Sequence, residues 1–171
     1  MSLNVETGSG ANNSESYASV ADADAYLAAR GQTNWASVAT GDKEAALRRA
    51  TDYMQSTYSG SWRGYRVYTT QALDWPRHLV PIKDYQTGCV AYYDPAVIPV
   101  AVKNACIELA LRAAAGDLAP DLGPQEKSVK VGPIEQVFAD GARQTPAYQA
   151  VNKMLSAFFC GSSNTIKLVR A

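Results

Sequence analysis

Between Trp62 and Tyr68 the chain reads Trp62-Arg63-Gly64-Tyr65-Arg66-Val67-Tyr68, aromatic side chains interleaved with arginines. Aromatic faces stack on unpaired bases while nearby cations meet phosphates, so this pattern suits a platform for single-stranded nucleic acid. Trp62, Arg63, Tyr65, Arg66 and Tyr68 are its candidate contact residues. The same pattern also arises where a chain leaves a helix. There the aromatics cover the core, and the arginines lay their stems across it with their heads in water. Just beyond lies Gln71-Ala72-Leu73-Asp74-Trp75-Pro76-Arg77. Pro76 restricts Trp75 to extended conformations, and Arg77 is placed to pair with Asp74 or with a main-chain carbonyl.

Other chemistry is scarce. His78 is the single histidine, which excludes a histidine-based metal site and any two-histidine mechanism. A catalytic triad would have to use it, and no nucleophile motif stands nearby. There is no phosphate-cradling Walker loop, no GxGxxG and no HExxH. Asp22 and Asp24 are two residues apart, do not share a helix face, and read as helix-start acids rather than metal ligands. The sequence therefore predicts a protein that is not an enzyme and holds no cofactor or metal.

Composition narrows the field further. The 171 residues suffice for one sizeable core and are short for two domains. Sixteen basic residues balance sixteen acidic ones, whereas proteins that coat nucleic acid usually carry a basic excess. No apolar run approaches a membrane span, and the first residues lack the pattern of a secretory signal. Cys89, Cys106 and Cys160 are widely spaced and form no CxxC pair, which fits buried thiols in a reducing compartment.

The elements that must position these residues are mostly helical. Pro99 suits the start of a helix and Gly116 its left-handed close, so 99–116 reads as the central helix. Val102, Ala105, Cys106, Leu109 and Ala113 form one stripe, and Val100, Ile107, Leu111 and Ala114 a second apolar face. Ser19 caps a helix from Val20 to Arg30, with Val20, Ala23 and Leu27 inward. Another helix runs from about Asp42 to Tyr58, with Ala46, Leu47, Ala50, Met54 and Thr57 inward. Thr145-Pro146 opens a further helix carrying Tyr148, Val151, Leu155 and Phe158. The fold class is thus mainly α, a four-helix bundle around 99–116 with a small β-hairpin at about 79–93 and a long, partly β loop at about 117–144. Residues 1–18 read as an N-terminal arm that alone would not pack. Residues 161–171 read as a C-terminal docking tail, because a free polar tail would not need Ile166, Leu168 and Val169.

Several stretches together resemble the head–tail adaptor (connector) proteins of tailed phages and prophages, a group that includes proteins labelled DnaT-like single-stranded DNA-binding proteins. They are Val5-Glu6-Thr7-Gly8-Ser9-Gly10, Ser16-Tyr17-Ala18-Ser19-Val20-Ala21-Asp22-Ala23-Asp24-Ala25-Tyr26, and Lys43-Glu44-Ala45-Ala46-Leu47-Arg48-Arg49-Ala50-Thr51-Asp52-Tyr53. Gln71 to Arg77, Ile98-Pro99, Val102 to Ala105, Glu108-Leu109-Ala110 and Val131-Gly132-Pro133-Ile134 follow in order. The resemblance implies a single adaptor domain over 1–171. It further implies a virion structural protein of the phage neck, made in the host cytoplasm, with about twelve copies closed into a ring under the portal. Such a ring extends the DNA channel, passes the genome without sequence-specific binding, and links the portal to a downstream neck or tail protein. The family has no catalytic residues to carry over, and no membrane is involved.

Within that reading, Ile166, Leu168, Val169 and Arg170 are the candidate portal-docking residues, as an added strand. Lys127 and Lys130 are candidates for lining the channel. The alternative is a DnaT-like replication accessory that binds single-stranded DNA through the 62–68 platform.

Overall fold

The computed structural model describes residues 2–86, 90–121, 128–131, 134–137 and 146–160. Its helices are α1 (Val20–Ala28), α2 (Thr33–Ala36), α3 (Thr40–Tyr58), α4 (Val100–Ala115) and α5 (Gln149–Leu155). Among the described residues three two-stranded antiparallel ribbons accompany them. They are β1 (Tyr65–Arg66) with β2 (Arg77–His78), β3 (Pro81–Gln86) with β4 (Val90–Tyr92), and β5 (Ser128–Val131) with β6 (Ile134–Val137). The protein is mainly helical, and the expected hairpin and partly β loop both appear.

α4 is the centre, packed against α1, α3 and α5. Val102, Ala105, Cys106, Leu109 and Ala113 are buried along the expected stripe, and Ile107 and Ala110 join them. Each large aliphatic side chain withdrawn this way is worth about 1.5–3 kcal/mol relative to exposure. The second apolar face is only partly covered: Ile107 is buried and Leu111 half-buried, whereas Val100 is 71% exposed and Ala114 is exposed. Gly116 closes α4 with φ 169, an extended backbone rather than the expected left-handed one.

α1 starts as its sequence predicts. Ser19 Oγ accepts from the Asp22 backbone N–H at 3.0 Å, and Asp22 accepts from the Ser19 N–H in return. The hydroxyl and N–H of Ser19 hold the Asp22 carboxyl below its ordinary pKa. In α3, Ala46, Leu47, Ala50 and Met54 face inward as expected, but Thr57 is exposed and Tyr58 takes the inward position at the end of the row. Burial pushes the Tyr58 hydroxyl up to about 12, and it donates to Asn152 Oδ1 at 2.6 Å. The short α2 has no counterpart in the sequence reading. It exists to bury Trp35, whose indole N–H donates to Asp24 at 2.7 Å. Asp24 also pairs with Lys43 at 2.9 Å, so it ties α1 to α2 and α3 instead of acting at a helix start.

Residues 2–18 are not a free arm. Glu6, Ser16, Tyr17 and Ala18 are buried, and the Glu6 N–H donates to the Ser16 carbonyl. Val5 also forms an isolated bridge with Ser16. Glu6 organises the loop by accepting from the N–H groups of Gly8, Gly10 and Ala11 and from the Ser14 and Ser9 hydroxyls. Gly8 has φ 112, and a Cβ there would collide with the Ala96 carbonyl. Only glycine fits so close an approach of two backbones.

Candidate nucleic-acid interface

The segment from Trp62 to His78 leaves α3 through a 3-10 turn at Ser59–Ser61 and doubles back as β1 and β2. Tyr65 lies opposite His78, and Arg66 opposite Arg77. Gly64, at φ 68, sits under the His78 carbonyl where a Cβ would clash, so the ribbon closes only with glycine there.

Trp62, the first residue of the expected platform, is 4% exposed. Its ring packs edge-on to Trp75 and lies against Phe159, and its indole N–H donates to Asp74 at 3.1 Å. No base can stack on it. Arg63 donates from Nε to the Phe159 carbonyl at 2.7 Å, next to the pairing of Trp62 with Phe159. Arg66 pairs with Asp74 at 2.6 Å. Tyr65 and Tyr68 are 71% and 53% exposed, so of the three aromatics they are the ones that present ring surface to solvent, Tyr68 with its ring lying over Gly10. The core-covering alternative therefore describes Trp62, and the arginines bind the protein rather than merely crossing it.

Asp74 is the hub that the platform reading left out. Its side chain is 2% exposed and accepts from Ser59 Oγ, Trp62 Nε1 and Arg66 Nη2. The Asp74 and Trp75 N–H groups donate to the Tyr17 hydroxyl, which joins the N-terminal loop to this turn. Burial and the Asp74 charge raise the Tyr17 pKa far above its ordinary value. Arg77 takes the main-chain option, donating to the carbonyls of Arg63, Gly64 and Asp74. Burial lowers its pKa, because the guanidinium has exchanged water for those oxygens. Gln71 completes the frame with donations to the Leu73 and Pro76 carbonyls while accepting from the Tyr68 N–H. The signal available in the sequence was an acid lying among aromatics and arginines. Its partner Tyr17, and the Phe159 carbonyl that holds Arg63, lie too far along the chain for spacing to show.

His78 is exposed, and no group of three or more His, Cys, Asp or Glu able to hold a metal occurs among the described residues. Cys106 is buried, its pKa raised by burial, and contacts Thr51 and Ser16. Among the described residues no helix is long and apolar enough to cross a membrane. Lys130 falls in β5. Lys127, Thr145 and the candidate docking residues Ile166, Leu168, Val169 and Arg170 lie outside the described residues.

Between β2 and β3, Leu79 has φ 57 and is 56% exposed. Tyr92, Val97 and Val100 are also about half exposed or more. Gly10 lies directly beneath the Tyr68 ring and Gly8 against Ala96, so the Glu6 loop braces both the Tyr68 turn and the approach to α4.

No curated protein and no solved structure matches the chain. A family model does, over residues 1–171, and the chain belongs to that family, described as putative DnaT-like ssDNA binding protein.

Proposed function

We propose that this chain is a structural protein of the tailed-phage neck, a head–tail adaptor that assembles as a ring under the portal. The observation that carries the proposal is Leu79, a large apolar side chain more than half exposed on a backbone at φ 57. Such a backbone costs on the order of 1–3 kcal/mol in a residue other than glycine, and strain of this kind is kept where a side chain must be presented. Tyr92, Val97 and Val100 add exposed apolar surface, which a protein partner covers better than DNA does. The four longer elements α1, α3, α4 and α5 would act as the bundle that holds this surface. The role is structural rather than catalytic.

In this reading Ile166, Leu168, Val169 and Arg170 dock on the portal, and Lys127 and Lys130 face the DNA channel. Electron microscopy of the protein mixed with its portal is the direct test. A ring on the tail-facing end is expected, and a portal that stays bare under saturating protein overturns the proposal. Deleting residues 162–171 should abolish portal binding while leaving the helical circular dichroism intact.

The second reading, a single-stranded DNA-binding accessory, is favoured by the description of the family. Of its five residues only Tyr65 and Tyr68 remain available for stacking, with Arg66 already neutralised by Asp74. It predicts an oligonucleotide affinity that falls steeply with salt and drops roughly tenfold in Tyr65→Ala, the loss of about one stacked base. Affinity unchanged by both Tyr65→Ala and Tyr68→Ala removes it.

A further inference from the structure

A hollow of about 430 Å³ opens where α1, α2 and the start of α3 meet, away from the 62–78 segment. Ala28, Gly31 and Ala36 stand around it, all three exposed, and their small size leaves the space open. Asp24 and Lys43 line it from α1 and α3, alongside the buried Trp35. The volume lies at the low end of the range for small-molecule sites.

The two charged groups there are incompletely answered. Asp24 Oδ1 accepts from the Trp35 indole N–H at 2.7 Å and from the Lys43 ammonium at 2.9 Å. Oδ2 of the same carboxylate accepts from no group among the described residues, and the Asp24 side chain is 47% exposed. The Lys43 side chain is only 10% exposed, yet just one of its three N–H groups has an acceptor among the described residues. The ammonium also lies 5.6 Å from the centre of the Trp35 ring, which helps to hold it in place but leaves the other two donors unmatched. A carboxylate entering the hollow would be drawn to Lys43 and repelled by Asp24, and an ammonium the reverse. A neutral group that carries an acceptor beside a donor meets no such opposition and answers both.

We infer that the hollow binds a neutral carboxamide or lactam, borne by a small molecule or by an asparagine or glutamine side chain. Its carbonyl oxygen accepts from Lys43, its N–H donates to Asp24 Oδ2, and its apolar body lies against the methyl groups of Ala28 and Ala36. The isolated chain carries every residue of this site, so ring assembly and amide binding can fail separately.

The Trp35 indole proton, hydrogen-bonded to Asp24, reports on the site by NMR of the full chain during titration with benzamide, benzoate or benzylammonium. These three share a ring and differ in charge. Benzamide is expected to move the indole proton with a Kd of about 1 mM, as befits so small a ligand. Benzoate and benzylammonium should bind about tenfold more weakly or worse, each facing one like charge. Ala28→Phe fills the hollow from an exposed position without touching either charged group. It should abolish the benzamide shift and leave the helical circular dichroism unchanged. Acetylglutamine amide presents the same group on a peptide. Tighter binding than benzamide assigns the natural source to a protein side chain, and weaker binding assigns it to a small molecule. An indole proton that benzamide does not move, even at about ten times the expected Kd, overturns the inference. So does a benzamide shift that persists in Ala28→Phe, or one matched by either charged analogue.

Discussion

Glu6 and Asp74 are both withdrawn from water, yet they are held by different chemistry. Glu6 is fully buried and receives only neutral donors, the N–H groups of Gly8, Gly10 and Ala11 with the hydroxyls of Ser14 and Ser9. Asp74 mixes two neutral donors, Ser59 and Trp62, with the Arg66 guanidinium. A carboxylate can thus be buried by aligned dipoles alone where the backbone is free to curl around it. Glycines at positions 8 and 10, both with positive φ, permit that curl. Asp74 sits in the connection between β1 and β2, and the donors that reach its carboxylate are all side chains. The Glu6 loop therefore depends on backbone shape and the Asp74 turn on particular side chains.

The sharpest way to break this comparison is to spoil the shape without touching a donor. Gly8→Ala forces a Cβ into the Ala96 carbonyl at a positive φ. A loss of about 4 kcal/mol in urea unfolding is expected. A loss under about 1 kcal/mol would mean that the loop can move aside, and that shape is not what holds Glu6. Next in size is Glu6→Ala, which leaves several buried donors without an acceptor. Partial entry of water should limit the loss to about 3 kcal/mol. Because no cation is involved, the difference between variant and parent should not change between low and high salt.

Asp74→Ala comes third, at about 2–3 kcal/mol, chiefly from the buried Trp62 indole N–H left without an acceptor. Ser59 and Arg66 can turn to solvent, which is why the loss should be smaller than at Glu6. Indole fluorescence offers a second measurement, since the Trp62 environment should become more polar in this variant and stay unchanged in Glu6→Ala.

Some of this architecture was legible in the residues and some was not, for reasons that differ by element. The burial of Val102, Ala105, Cys106, Leu109 and Ala113 was legible because a sixteen-residue helix repeats its period often enough to read. α2 has four residues around Trp35, too few for any period. The polar run from Thr7 to Ser14 looks like solvated loop because its donors converge on Glu6 only in three dimensions. At 62–68 the interleaving of aromatics and arginines was plain, but its meaning depended on Tyr17, Asp74 and Phe159. Composition locates such a cluster without saying which way it faces. Exposure separates Trp62 from Tyr65, and exposure is a property of the whole fold.

The smallest expected effect is also the most discriminating. Arg66→Leu removes the one cation that, among the described residues, pairs directly with the Asp74 carboxylate, leaves the nearby Arg77 guanidinium in place, and keeps much of the arginine stem's apolar contact. Two estimates compete for its size. If the guanidinium were needed to compensate a buried carboxylate, its loss would cost on the order of 3–5 kcal/mol. But the Arg66 side chain is 39% exposed, so water screens its charge, and Asp74 keeps the Ser59 and Trp62 donors. The screened estimate should prevail, giving a loss of at most about 1 kcal/mol that shrinks further in high salt. That result would bring Asp74 closer to Glu6, a carboxylate held mainly by neutral donors and assisted by a peripheral charge. A loss above 3 kcal/mol would show instead that the two carboxylates belong to separate physical classes, with Arg66 as indispensable to its loop as Gly8 is to the other.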